Sequence, residues 1–433
     1  MRGGREGAAR VTGSPDFVRF WLADAVSNLG SFVSMLAVQL LLINTLHADQ
    51  RAIGFVRSAQ WLPYLLFGLL AGVVVDRVRR RPLLIAADVV CAVLLTGVGV
   101  LALTGHLTVP LLAVLVFLSG SASMFFVAAH LSYLPSLVPL RLLPMATARL
   151  EQTYAAAQSV GPLIGGALVR LLTAPVAVLV DAASYAVSAV LLATIHRAEP
   201  APAPSARSST RESGEGASLG AAVRGVVDDL REGARWVYRH EMLAPYAVAL
   251  HLWFFANAMV TTVFVYFAST ELGLDALSIG IALAAAGLTA VLAAGLAPRL
   301  AERHGLGRVV TLSEWLSPAA YALLLLARPG PGALLWPVVA NLLFGLGLGL
   351  KDPLTMSHRN AVTPERLRGR MNATIRSFNW GSIAVAAPLA GIAAAAWGNR
   401  ATIALGVAGL VVAAAVLNLS GYRRAELPVS PPT

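Results

Sequence analysis

The chain has 433 residues, of which 57% are hydrophobic and only 13% charged, and its formal net charge is +11. A mean hydropathy of +0.71 goes with that composition, far too apolar for a water-soluble domain, so a soluble fold is excluded. The positive charge lies in short arginine clusters between apolar runs, not on one face, so nucleic acid is not an expected partner.

Crossing ~30 Å of hydrocarbon takes ~20 apolar residues, so roughly twelve spans with short loops would use most of this length. After Arg2, Arg5 and Arg10, the apolar stretch from Phe17 to Leu46 is too long for a signal-peptide core and reads as a first membrane helix retained in the mature protein. Runs at 52–75, 82–104, 109–134, 146–169 and 175–195 complete a first set of six. A second set falls at 243–269, 276–300, 309–327, 333–358, 371–396 and 400–420.

Between the sets, residues 197–220 carry Pro200, Pro202 and Pro204 in a Ser/Arg/Gly/Glu mixture that cannot bury enough apolar surface to fold alone. Val223, Val226, Val227, Leu230, Ala234 and Val237 then recur at helical spacing, predicting an amphipathic helix lying on the membrane surface. The expected organisation is a six-helix bundle over 1–196, a cytoplasmic linker with its amphipathic helix over 197–240, a second bundle over 241–422 and a short tail over 423–433.

Of the 33 basic residues, all but Lys351 are arginines. On the twelve-span layout 27 lie on the side of both termini and the linker, and five (Arg51, Arg57, Arg170, Arg328, Arg400) on the other. Cytoplasmic loops retain positive charge, which assigns both termini and the linker to the cytoplasm. The halves also repeat. Val138-Pro139-Leu140-Arg141-Leu142 follows the fourth span, and Thr363-Pro364-Glu365-Arg366-Leu367 follows the tenth. Parallel repeats of six spans are a common transporter plan, with the substrate site between them near the midplane.

Between spans 2 and 3 stand Gly72, Asp76, Arg77, Arg80 and Arg81, with Asp88 a little further on. Gly72 permits close helix approach, Asp76 can accept charge-assisted hydrogen bonds, and the arginines can engage lipid phosphate or helix ends. In span 5, Pro162 removes a helix hydrogen bond while Gly161, Gly165 and Gly166 present a bare surface, which predicts a bend at a tight packing site.

The loop resembles the gating-loop motif of the major facilitator superfamily, with Arg79 where the family pattern has glycine. The span 5 run resembles the antiporter signature of proton-coupled exporters, with Ala148 and Ala157 at two outer glycine positions. The whole pattern is similar to the bacterial exporter group that includes siderophore and macrolide exporters. The resemblance implies an all-α membrane protein with twelve transmembrane helices in two six-helix bundles, the loop serving as a latch between them. It also implies efflux of a small amphipathic molecule (a drug, antibiotic, siderophore or other secondary metabolite) by alternating access, as a proton antiporter in the bacterial inner membrane. Protons, the small-molecule substrate and membrane lipid are the expected partners, of a monomer without cofactor. An importer of the same fold and a non-transporting scaffold are the rival readings.

Ionisable residues inside spans point to function, because each costs ~2.5–3.5 kcal/mol on insertion scales unless paired or watered. Asp24, Asp181, Glu314 and Asp352 are the proton-coupling candidates. Lys351 is expected to face a substrate cavity, paired with an acidic group or with an anionic part of the substrate, accompanied by Asn28, Trp253, Asn257, Asn379 and Trp380. His130 is a further titratable group in span 4, which holds no arginine where many proton-coupled relatives carry one. Cys91 is alone, so no intrachain disulfide is possible, and no metal set is expected. Gly345-Leu-Gly347-Leu-Gly349-Leu-Lys351 lacks the Ser or Thr of a phosphate loop, and no cluster of catalytic residues stands at mechanistic spacing, so an enzyme is not expected.

Overall fold

A computed structural model of the chain describes residues 14–75, 77–196 and 219–426. Asp76, the expected linker over 197–218 and both ends lie outside the described residues. The first half is α1 (Pro15–Asn44), α2 (Gln50–Val75), α3 (Arg80–Leu103), α4 (Val109–Leu137), α5 (Leu143–Leu171) and α6 (Ala174–Ala193). The amphipathic helix is α7 (Leu219–Arg239). The second half is α8 (Leu243–Thr270), α9 (Ala276–His304), α10 (Leu306–Ser313), α11 (Leu316–Leu326), α12 (Leu335–Val362), α13 (Glu365–Trp397) and α14 (Asn399–Leu419).

Local signals set these starts and stops. Ser14 caps α1, accepting from the Phe17 amide at 3.4 Å, with Pro15 in the first helical position. Gly398 at φ 87° ends α13 in a conformation other residues rarely adopt. The 33 residues of α13 make ~50 Å of helix at 1.5 Å per residue, longer than the hydrocarbon is thick. Its charged first turns therefore project beyond the apolar window that placed the span at 371–396.

Among the described residues, nine spans are long and apolar enough to cross a membrane by length and composition alone, α10 and α11 together making one of them. With α2, α5 and α12 they make up the twelve spans that the sequence predicts. The span expected over 309–327 is not one continuous helix. It breaks at Glu314–Trp315, four residues before Pro318, whose missing N–H and bulky ring cannot satisfy the Glu314 carbonyl.

Within the first half α1 packs on α5 and α6, α3 on α4 and α6, and α2 on α4. Within the second, α8 packs on α13 and α14, α9 on α12, and α11 on α12 and α14. The halves meet chiefly along α2–α13 and α5–α9. Leu288, Leu292, Val93 and Leu103 are among many large apolar side chains left exposed on the outer surface, which suits lipid and would be untenable in water.

α7 is strapped to the start of α13. Arg366 meets Glu232 at 2.8 Å, and Arg370 meets Asp229 at 2.9 Å and also Glu232. The Trp236 indole donates to Thr363 at 3.3 Å, and Tyr238 lies 2.9 Å from His251 on α8.

Candidate functional site

The contacts that join the two halves gather at the face opposite the two chain ends. There Gly166 and Gly280 let α5 and α9 touch backbone to backbone: a Cβ on Gly280 would lie 2.5 Å from the Pro162 carbonyl, and one on Gly166 would collide with the Ala276 carbonyl. Gly161 and Gly165 serve the same helix on its other side, against Phe32 and Val33 of α1. Across α2–α13, Gly54 faces Ala387 and Gly391, and Ser58 donates to the Ala384 carbonyl at 2.6 Å. Arg170 and Asp275 close the rim with an ion pair at 3.1 Å. The Ser278 hydroxyl and amide, then the Arg170 guanidinium, hold the Asp275 carboxyl below the usual carboxylate range.

Within the first half lies a cavity of about 140 Å³. Its polar wall includes Ser34 on α1, Arg57 on α2, Ser119 and Ser123 on α4, and Asp181 and Tyr185 on α6. Asp181 is well inside its span and buried, accepting from Ser184 at 3.1 Å. Arg57 donates to the Thr261 carbonyl and hydroxyl of α8, each at 3.0 Å, so it also ties the halves together.

Three further carboxylates of the first half and second half sit away from this wall. Asp24 lies 3.0 Å from the His130 ring nitrogen, and that ring stacks on Phe20 at 4.6 Å. Asp88 is fully enclosed, with the buried Ser188 hydroxyl as its polar neighbour. In the second half Lys351 meets Glu314 at 2.8 Å, and its ammonium stands 4.3 Å from the centre of the Trp253 ring, whose indole donates to Ser317 at 3.1 Å. The break between α10 and α11 is what places Glu314 there. Lys351 thus finds its acid in Glu314, while its neighbour Asp352 is exposed.

Of the residues expected to line a substrate cavity, none lines the cavity of the first half. Lys351 and Trp253 are buried together inside the second. Asn257 accepts from Tyr321 at 2.8 Å, and Asn379 pairs with His251 at 2.7 Å. Asn28 is partly exposed on α1, one turn from Asp24. Trp380 packs against the cavity wall, on Tyr64 with ring centres 4.7 Å apart and on Trp61 at 6.1 Å.

The loop motif is only partly described. Gly72 falls within α2, Arg77 in the turn after it, and Arg80 begins α3. Arg81 donates to the carbonyls of Leu192 at 3.1 Å and Ala193 at 2.5 Å, satisfying the last turn of α6.

Two residues escape the sequence reading. Arg57 counts there as a loop arginine, yet the structure sets it two turns into α2, where its signal was a charge inside the run 52–75. His251, linking α7 to α13, carried only the weak signal of one histidine in an apolar stretch.

The sequence profile of the transmembrane secretion effector family matches residues 13–428. The chain is a major facilitator superfamily transporter. Among relatives, the MFS-type transporter YkuC of Bacillus subtilis is 22% identical over 242 residues, covering 56% of this chain and 54% of its own length. The MFS-type transporter Rv0037c of Mycobacterium tuberculosis is 37% identical over 132 residues, 30% of each chain. The matched stretch thus spans about half or less of these relatives. Solved structures agree in fold over more than nine-tenths of the chain. A nucleoside transporter NupG shares 12% identity with a TM-score of 0.70, covering 93% of this chain and 98% of that one. A bacterial homologue of the lysosomal transporter Spinster, inward-facing and unoccupied, shares 14% with a TM-score of 0.70, covering 97% and 98%. Like them, this family member is a multi-pass membrane transporter.

Proposed function

We propose that this transporter exports a small amphipathic molecule across the bacterial inner membrane by alternating access, in exchange for protons. The observation that carries the reading is the one-sided closure: the halves are seated against each other at the face away from the termini. With the arginine-rich face in the cytoplasm, the seated face is the outer one, the arrangement in which an alternating-access exporter loads from the cytoplasm. The secretion-effector family and the Gly161–Gly166 run of α5, whose Pro162 and Gly166 meet α9 at the closed seam, support export over uptake.

Asp24 is the favoured proton carrier. It shares a 3.0 Å contact with His130, the residue type whose charge changes most readily near neutral pH. Asp181 and Asp352 are secondary candidates. Lys351 and Glu314 neutralise each other and hold the second half together, a structural service in place of a substrate contact.

The test uses inverted membrane vesicles, whose interior corresponds to the outside of the cell. Accumulation of a panel compound that depends on an imposed proton gradient, and is abolished in Asp24→Asn, is the expected result. Gradient-independent behaviour with every compound, or unchanged transport in Asp24→Asn, refutes export by this route or removes Asp24 from it, respectively.

A further inference from the structure

The cavity of the first half holds a guanidinium and a buried carboxyl, Arg57 and Asp181, the first outside the proposed proton route and the second only a secondary candidate for it. The Arg57 guanidinium reaches only neutral acceptors on Thr261, its Nε has no acceptor, and no carboxylate pairs with it among the described residues. Asp181, 2% exposed on the facing helix α6, takes a hydrogen bond from Ser184 and likewise meets no cation there. Both line one chamber, yet they form no ion pair with each other. Between them lie hydroxyls, among them Ser31 and Tyr185 with their oxygens 2.9 Å apart.

A cation and an anion kept apart in a low-dielectric chamber are each costly until a countercharge arrives. A ligand carrying both countercharges satisfies both at once. The geometry points to a binding site for a small zwitterion, with a carboxylate on Arg57, where the planar guanidinium suits two parallel hydrogen bonds, and an ammonium on Asp181. The chamber of about 140 Å³ is smaller than the ~300–1,000 Å³ of drug-sized sites, so it takes a compact molecule or the polar head of a larger one. Arg57 also bridges to α8, so a carboxylate that recruits the guanidinium loosens the tie between the halves, coupling occupancy to opening. This inference rests on the transport reading and names the class of its cargo.

The experiment measures binding to the purified protein in lipid nanodiscs, by calorimetry and by the fluorescence of Trp61 in the cavity wall. The probes are glycine, 4-aminobutyrate and 6-aminohexanoate, with butyrate and butylamine as single-charge controls. Saturable binding of at least one zwitterion is expected, at least tenfold tighter than either control and weakened at least tenfold in both Arg57→Gln and Asp181→Asn. Arg57→Lys keeps the charge without the fork, and an intermediate loss is expected should Arg57→Gln fail to fold. Absence of saturable binding by every zwitterion, equal binding of butyrate, or indifference to Asp181→Asn overturns the site. Binding without gradient-driven flux in vesicles leaves the site standing and sinks the transport reading. Flux of other compounds with no zwitterion binding does the reverse.

Discussion

In the second half Lys351 and Glu314 meet with side chains 4% and 5% exposed, beside a gap of only about 10 Å³, scarcely room for one water. In the first half Asp24 and His130 are 8% and 14% exposed, and the neighbouring helices enclose a far larger polar cavity. The halves are repeats of one plan, yet one encloses its acid with a lysine and the other sets its acid beside a slightly more exposed histidine. A sealed pair whose partners satisfy each other works as a strut. The proton exchange proposed above is accordingly assigned to the first half.

The largest effect that could break this contrast is at Lys351. Lys351→Ala leaves Glu314 buried without a partner, which costs about 3–5 kcal/mol, and thermal melting in detergent should show it as loss of folded protein. The double change Lys351→Met with Glu314→Gln should recover most of the stability. A well-folded Lys351→Ala protein with altered ligand affinity would instead make the second half part of the binding site.

Asp24→Asn should do the opposite, leaving the melting temperature nearly unchanged while proton-dependent transport falls more than tenfold. Gly166→Val tests the seam: the added side chain meets the Ala276 carbonyl, and overpacking of about 1–3 kcal/mol against the closed state should lower cross-linking between cysteines introduced on α5 and α9. The smallest effect belongs to Arg170→Ala, since exposed ion pairs contribute about 0–1 kcal/mol. The lowered pKa of Asp275 means that its pair is present above the usual aspartate range and lost only as pH falls through the depressed value. Acidification from pH 7 to 5 should therefore leave the cross-linking yield of the closed rim unchanged.

The spans were readable because hydrocarbon forces every crossing to be a long apolar helix, and the repeat was readable because Pro139 and Pro364 stand at matching turns. The break at Glu314 was not. Pro318 was visible, but six other spans also hold an internal proline, and only packing decides which one opens its helix. The rarity of Lys351 singled it out, whereas its partner lies 37 residues away on another helix, and sequence spacing fixes azimuth within one helix only. Arg57 was hidden for a related reason: near the end of an apolar run, a charge reads equally as a loop residue or as a buried group.

At the seam formed by Gly54, Gly166, Gly280 and Gly391, polypeptide backbone rests directly on polypeptide backbone. Dispersion between such surfaces fades within an ångström or so of separation, and little hydrated charge needs stripping when they part. Intermediate spacings gain almost nothing, so the halves should click between seated and released positions rather than drift, giving the carrier a two-stroke cycle set by its bare glycines.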